Sequence, residues 1–398
     1  MTDHHPPPRW AQDLLGPDAR LVEVVSGGTS RHTLRLEVTP GGDRVVARHD
    51  PGAGPFSGTP LTLAREAATY AALVGSGVPV PAVVAVAADG RSFAVEEVPG
   101  TPEAGADSLD DLLTVLGRLH ATGTRHVPPG HPGFDRAGEE DLALWSDLAR
   151  RRIRRPAPLV DHALDRIAAH RRARPPAPVA LCHGDPGVGN HLHRHGIVTG
   201  LVDWEMAHTG DPHDDLASVA VRAALVGVDL GDYRARVAAR WEPVVGTALD
   251  PDRYRLGVAA TLLRMVVSCL SALDHAAAGT DRSVQLLGLP VMEAQLLRAL
   301  AVLDDRDPPP VIEAEPDPAF AAEVATTVAE ALDGPGRDGP ERRARYAARQ
   351  LAAALAPRSP AAVPAADDPE ALWAATCARL AVLPASRPLA DRPIAGAA

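Results

Sequence analysis

Apolar and polar positions alternate with a period of two in Thr33 to Val38, and this segment with the short apolar-rich runs Leu21 to Val25 and Arg44 to Arg48 predicts three short β-strands. The turns between them are Ser26-Gly27-Gly28-Thr29-Ser30 and Thr39-Pro40-Gly41-Gly42-Asp43. From 61 to 74 the period becomes helical, with Leu63, Ala67, Tyr70 and Val74 on one face and Glu66 in the same segment. Val83 to Ala87 and Ser92 to Val98 then read as a hairpin that Pro99-Gly100 ends. The first hundred residues therefore predict a small antiparallel sheet carrying one helix.

Beyond residue 108 the pattern is mostly helical. Ser108 and Asp111 read as a capping pair ahead of Leu112, Leu113, Leu116 and Leu119. Further helices are predicted over 139–154, 159–173, 214–226, 231–242, 252–277 and 284–304. The exceptions are Val179 to Cys182 and Ile197 to Val202, short strands bracketing loops dense in His, Asp, Asn and Gly. His191, His193 and His195 alternate as in a strand, and their context reads as a solvated hairpin. Five prolines between Asp304 and Pro318 mark a boundary, after which amphipathic helices are expected over 317–333, 340–356 and 368–382. The domain reading is thus a disordered N-terminal extension (1–19), a sheet domain (20–98), a helical domain (99–304), a linker (305–316) and a small helical domain (317–398).

Composition narrows the chemistry. All 40 basic side chains among the 398 residues are arginine, so a lysine Schiff base, a P-loop lysine and a lysine general base are excluded. A net charge of -11 and only five Trp, four Tyr and four Phe argue against nucleic-acid binding, which needs a basic face or stacking platforms. Cys182, Cys269 and Cys377 are too scattered for a disulfide framework or a CxxC metal pair and read as thiols in a reducing compartment. The start has no signal-peptide pattern, and no apolar stretch is expected to span a bilayer. A cytoplasmic enzyme with no membrane partner is the expectation.

The candidate chemistry lies in Cys182-His183-Gly184-Asp185-Pro186-Gly187-Val188-Gly189-Asn190, then Val202-Asp203-Trp204-Glu205, then Gly210-Asp211-Pro212-His213-Asp214-Asp215-Leu216. This order of HGDxxxxN, an apolar strand, DWE and GDPxxDLA resembles the catalytic core of the aminoglycoside phosphotransferase family, over roughly residues 20–304. The resemblance implies an α+β, bilobal, protein-kinase-like fold with a small antiparallel sheet lobe and a larger helical lobe, here with an extra C-terminal helical domain. It also implies ATP or GTP and Mg²⁺ as cofactors and a small-molecule hydroxylated acceptor. Phosphoryl transfer needs positioning and charge neutralisation more than covalent help, which suits these residue types.

By this resemblance Asp185 receives the acceptor's proton, Asn190 and Asp203 are oxygen ligands for Mg²⁺, and His183 ties the loop to the strand below. Asp215 braces the loop through its backbone, and Gly189 lets the chain turn before Asn190. Gly27, Gly28, Thr29 and Ser30 would cover the nucleotide phosphates through backbone N–H groups. Arg48 stands where such enzymes commonly carry a lysine for the α- and β-phosphates, with Glu66 as its helix partner, and a guanidinium does not replace an ammonium like for like. Glu96, Glu97 and Val98 fall where backbone groups would meet the base. Trp204 reads as core packing, Glu205 equally as a metal group or a support, and Asp211 and Asp214 as turn or cap formers.

Three rival readings are an aminoglycoside-type antibiotic kinase, a kinase-like binding or regulatory module, and a metallohydrolase built on the abundant histidines. Aminoglycosides are polycations, whereas residues 150–155 read Arg-Arg-Arg-Ile-Arg-Arg, with Arg171, Arg172 and Arg174 following. Such a run is ordinarily a solvated helix face; an edge turned to the acceptor would favour an anion. Val45-Val46-Ala47-Arg48, Val78-Pro79-Val80-Pro81 and the DWExxHxGDP run resemble the branch related to the kinase-like portion of acyl-CoA dehydrogenase fusion proteins. That likeness implies a hydroxyacyl-CoA-like acceptor. For the C-terminal helices, docking onto the main body and a homodimer contact are both open.

Overall fold

The computed structural model describes residues 6–25, 31–38, 42–102, 106–130, 134, 139–175, 178–226, 228–275 and 283–306. The turn at Gly27, Gly28, Thr29 and Ser30, Cys377 and the expected helical domain at 317–398 lie outside them. The chain divides into two compact units, one drawn from Met1–Asp141, Ala177–Val219 and Asp232–Leu249, the other from the intervening segments and the stretch after Asp250.

In the first unit, helix α1 (Arg9–Leu15) precedes strands β1 (Arg20–Val24), β2 (His32–Glu37) and β3 (Arg44–His49). Helix α2 (Leu63–Leu73), then β4 (Val83–Val86) and β5 (Ser92–Glu96), complete a five-stranded antiparallel sheet of order β1-β2-β3-β5-β4. Alternation along β3 sends Val45 and Ala47 to a face where they pack with Leu34, Leu36, Ala94 and Ala11 of α1. Arg48, paired across the ladder with Phe93, points to the opposite face, where Tyr70 of α2 meets Phe93. Helix α1 corrects the expected disordered extension. Its prolines suggested disorder, but Trp10, Ala11, Leu14 and Leu15 make an apolar stripe that covers the sheet, and Trp10 stacks on His49.

Helix α3 (Ala106–Ala121) follows, then α4 (Glu139–Arg152), α5 (Pro158–Arg172) and strand β6 (Ala180–Cys182). Strands β7 (His191–Arg194) and β8 (Ile197–Leu201) form a hairpin, and β9 (His208–Gly210) pairs with β6. After them come α6 (Pro212–Leu225), α7 (Tyr233–Arg240), α8 (Glu242–Val245), α9 (Pro251–His275) and α10 (Ser283–Leu303). Two expectations change here. Helix α3 starts before Ser108, so Ser108 and Asp111 do not cap it; Asp111 accepts a hydrogen bond from Val198 N at 2.7 Å, and Ser108 Oγ lies 3.4 Å from His191 Nε2. For the same reason the hairpin is not solvated throughout: β8 packs on α3, and His191 is fully buried with Nδ1 donating to Gly187 O.

In the second unit α9 packs against α10 and α5, and Arg166 and His170 both meet Asp304 just past the end of α10. Contrary to expectation, α9 is long and apolar enough to cross a membrane, with mean hydropathy 1.9 over its best window. That window is 78% buried inside the protein, as in a core helix. In the arginine-rich stretch Arg150, Arg151, Arg154 and Arg155 are exposed, Arg151 pairs with Asp147, and Arg155 pairs with Asp274.

Candidate functional site

The loop after β6 turns sharply at three glycines in the left-handed region, Gly184, Gly187 and Gly189. Gly184 admits no substitute: a Cβ there would lie 2.1 Å from Met206 O. The loop rests on Asp215 of α6, whose carboxylate accepts hydrogen bonds from His183 N and Gly184 N, both at 2.8 Å. A third partner, His120 Nε2, lies 3.0 Å away, and His120 Nδ1 in turn accepts the indole N–H of Trp241 at 2.9 Å. Burial acts to raise the Asp215 pKa, but the hydrogen bond from His120 and the neighbouring imidazoles bring it down to about 2.

His183 is fully buried, and burial pushes its pKa below the ordinary histidine value. Its Nε2 is 3.0 Å from Val202 O and its Nδ1 is 3.3 Å from Asp185 N, the pattern of a neutral ring donating to the strand end and accepting from the loop. Asp185 is partly exposed. Asn190 Nδ2 donates to its backbone oxygen at 2.8 Å and to its Oδ2 at 3.0 Å. The amide nitrogen of Asn190 is thereby committed, which leaves the amide oxygen for a cation. Val202 N donates to Asn190 O at 3.1 Å, which ties Asn190 to the residue just before Asp203.

Asp203 adopts φ 69°, a left-handed conformation that Asp tolerates better than most side chains, and its N–H donates to Tyr70 OH at 3.0 Å. Trp204 is fully buried between Tyr70 and His183. Carboxylate oxygens of Glu66, Asp203 and Glu205 all lie within 4.8 Å of one another. Arg48 sits among them: Nη1 bonds Glu66 and, at 2.6 Å, Asp203, while Nη2 reaches Glu205 at 3.4 Å. Its Nε is buried with no hydrogen-bond partner, as is Glu66 Oε2. Arg48, expected at the phosphates, therefore has both terminal nitrogens on carboxylates. Burial, with Asp203 close by, pushes Glu205 up to about 8; burial likewise raises Glu66 to about 7 against the pull of Arg48.

All the donors offered by Asn190, Asp203 and Glu205 are oxygens, the set that suits Mg²⁺ rather than zinc. Three carboxylates around one guanidinium also leave negative charge for a cation to offset, so the residues fit the metal that the sequence implied. Glu96 ends β5 with its side chain exposed, Glu97 pairs with Arg35, and Val98 lies against Gly200 of β8. Asp211 accepts from His213 N at 3.1 Å and so behaves as a turn former. Sequence reasoning passed over Arg65, Tyr70, His120 and Trp241. For Arg65 the signal was its place beside Glu66; the hydroxyl of Tyr70 was masked by the fit of its ring to an apolar stripe.

Residues 22–256 match the APH family model, described as "Phosphotransferase enzyme family". None of the curated proteins matches the chain in sequence. Among solved structures, a Ralstonia eutropha JMP134 protein assigned to the aminoglycoside phosphotransferases is 19% identical at a TM-score of 0.52, covering 72% of this chain and 92% of its own. A thermostable mutant of aminoglycoside phosphotransferase APH(4)-Ia, in ternary complex with ADP and hygromycin B, is 15% identical at 0.50, covering 70% and 94%. Plasmodium vivax ethanolamine kinase is 10% identical at 0.52, covering 68% and 81%. At such identities the likeness speaks to the fold alone, and it bears out the expected kinase-like α+β architecture.

Proposed function

Because the chain belongs to the phosphotransferase enzyme family, we propose that it transfers the γ-phosphoryl group of ATP or GTP to a hydroxyl of a small molecule, using Asp185, Asn190 and Asp203. The observation that carries this reading is the linkage of the three: Asn190 bonds the Asp185 carboxylate through its side chain and the strand end before Asp203 through its backbone. Asp185, held by Asn190 and open to solvent on one side, accepts the acceptor's hydroxyl proton. Asn190, Asp203 and Glu205 would hold Mg²⁺, which when bound neutralises charge on the transferring phosphates. Arg48 keeps the carboxylates of that segment in register, and Asp215 fixes the loop on which Asp185 sits.

For the acceptor we propose a hydroxyacyl thioester of coenzyme A, in the cytoplasm. Support comes from the likeness of Val45-Val46-Ala47-Arg48, Val78-Pro79-Val80-Pro81 and the DWExxHxGDP run to the acyl-CoA dehydrogenase fusion branch. Acceptors named for the similar structures, hygromycin B and ethanolamine, are the competing outcome. The test is Mg²⁺-dependent thermal stabilisation by ATP and GTP, followed by acceptor-dependent ADP or GDP release across hydroxyacyl-CoAs, aminoglycosides and amino alcohols. Turnover confined to aminoglycosides would overturn the acceptor assignment. Bound zinc with no nucleotide effect would overturn phosphoryl transfer itself.

A further inference from the structure

Arg65, the residue before Glu66 on α2, is one of the largest fully buried side chains, with 1% of its surface exposed. Its Nη1 donates to Glu205 O at 3.1 Å and its Nη2 donates to Ala207 O. The guanidinium carbon stands 4.3 Å from the centroid of the Phe134 ring. Burial lowers its pKa to about 10, with Asp141 and Glu66 opposing, so it is still a cation at neutral pH. A charge this deep is costly unless it is paired and hydrogen-bonded, and here Asp141, Glu66 and the two carbonyls offset that cost. What a guanidinium adds is a rigid planar fork that fixes the spacing of the two groups it bonds.

Those two carbonyls bracket the end of the short 3-10 turn Trp204–Met206, whose preceding and second residues are Asp203 and Glu205. On the other side of the turn Gly184 crowds Met206 O, and Tyr70, further along α2, receives the N–H of Asp203. Helix α2 thus grips the segment at Asp203, Glu205 and Ala207 while its neighbouring residue Glu66 holds Arg48. We infer that Arg65 is a positioning residue that sets the Asp203 and Glu205 carboxylates for a divalent cation. The inference rests on the phosphotransferase reading above.

The test compares the full chain with Arg65→Lys, which keeps a buried cation but cannot bridge both carbonyls, and with Arg65→Met. ATP binding is followed by calorimetry at graded Mg²⁺ concentrations, and the melting temperature is read without ligand. The Mg²⁺ concentration giving half-maximal ATP binding should rise about tenfold in Arg65→Lys, the usual scale for losing a group that orients metal ligands, with ATP affinity in the absence of Mg²⁺ unchanged. A lower melting temperature with the wild-type Mg²⁺ midpoint would overturn the inference, leaving Arg65 a merely structural cation. If Arg65→Met fails to fold, Arg65→Lys alone decides. Absence of Mg²⁺-dependent binding of both ATP and GTP in the unsubstituted chain would overturn the phosphotransferase reading and this inference together, and that result is distinct because it precedes any substitution.

Discussion

Two carboxylate sites, each with buried members, lie in the same unit and are built on opposite terms. At Asp215 one carboxylate receives two backbone N–H groups and an imidazole, and its pKa falls to about 2 despite burial. Around Arg48 three carboxylates share one guanidinium; burial and their mutual repulsion push Glu66 to about 7 and Glu205 to about 8. Where donors outnumber acceptors, folding alone completes the site, and the result is a rigid brace under the Asp185 loop. Where acceptors outnumber donors, Glu66 Oε2 is buried without a partner, and the cluster has capacity for a further cation. One region holds geometry and the other holds charge in readiness.

Asp185 stands on the braced loop, so its substitution should damage chemistry without damaging fold, the largest effect expected. Asp185→Asn should lower the rate of acceptor-dependent ADP release by about 10²- to 10⁴-fold, the range for loss of a positioned proton acceptor. Nucleotide affinity and melting temperature should hold. A fall of only a fewfold, read from initial rates, would mean that positioning by the brace does nearly everything.

Removing Arg48 attacks the other region. Arg48→Met leaves three neighbouring carboxylates without the guanidinium they share, and breaking a buried pair in this way destabilises by about 3–5 kcal/mol. Denaturant unfolding at pH 8 should show that loss, and Mg²⁺ should restore a large part of it. An unchanged unfolding midpoint would show that the cluster is already solvated or protonated, and the contrast with Asp215 would collapse.

How much of this was legible beforehand depended on whether a feature was local. The strands and helix α2 follow from periodicity, whereas Asp185, Asn190 and Asp203 were singled out by the resemblance that the order of HGDxxxxN, DWE and GDPxxDLA carries. Trp241 was invisible, and Arg65 had no signal beyond its place beside Glu66, because their partners lie 121 and 140 residues away, at His120 and Glu205. The role of Arg48 was half legible: Glu66 was named, but contacts with Asp203 and Glu205 across 155 and 157 residues depend on how β3 faces the turn after β8. Helix α1 and the burial of His191 were missed for a similar reason, since prolines and histidines look solvated until a sheet face or α3 is set against them.

The two regions should also separate on the pH axis. The folded pKa of Asp215, about 2, is below its ordinary 3.8, so its contribution is complete above 3.8 and is lost as pH falls toward 2. That shift corresponds to about 2 kcal/mol. The raised values at Glu66 and Glu205 act the other way: ionising them lowers stability as pH climbs from about 4.5 toward 8. Urea unfolding across pH 2 to 9 with Asp215→Asn beside the parent checks both limbs. The variant should lose the share of the acid slope that Asp215 supplies, leaving that of Asp50, Asp274 and Asp304, and should keep the alkaline slope; loss of both slopes would mean the two groups titrate as one network.

The smallest effect tests how far the brace extends. Trp241 is buried, and its indole N–H reaches His120 Nδ1 at 2.9 Å, which fixes the His120 proton on the nitrogen facing Asp215. Trp241→Phe keeps an aromatic ring against His120 and His213 but removes the donor, leaving a buried acceptor unsatisfied at about 1–3 kcal/mol, the lower end being expected because the smaller ring leaves room for water. With the proton on His120 no longer fixed, the hold on Asp215 loosens while the carboxylate cluster is untouched. Turnover should therefore fall severalfold at unchanged KM for nucleotide and unchanged Mg²⁺ dependence, measured by steady-state kinetics at two Mg²⁺ concentrations. A shifted Mg²⁺ dependence would tie Trp241 to the carboxylates around Arg48 and erase the boundary between the two regions.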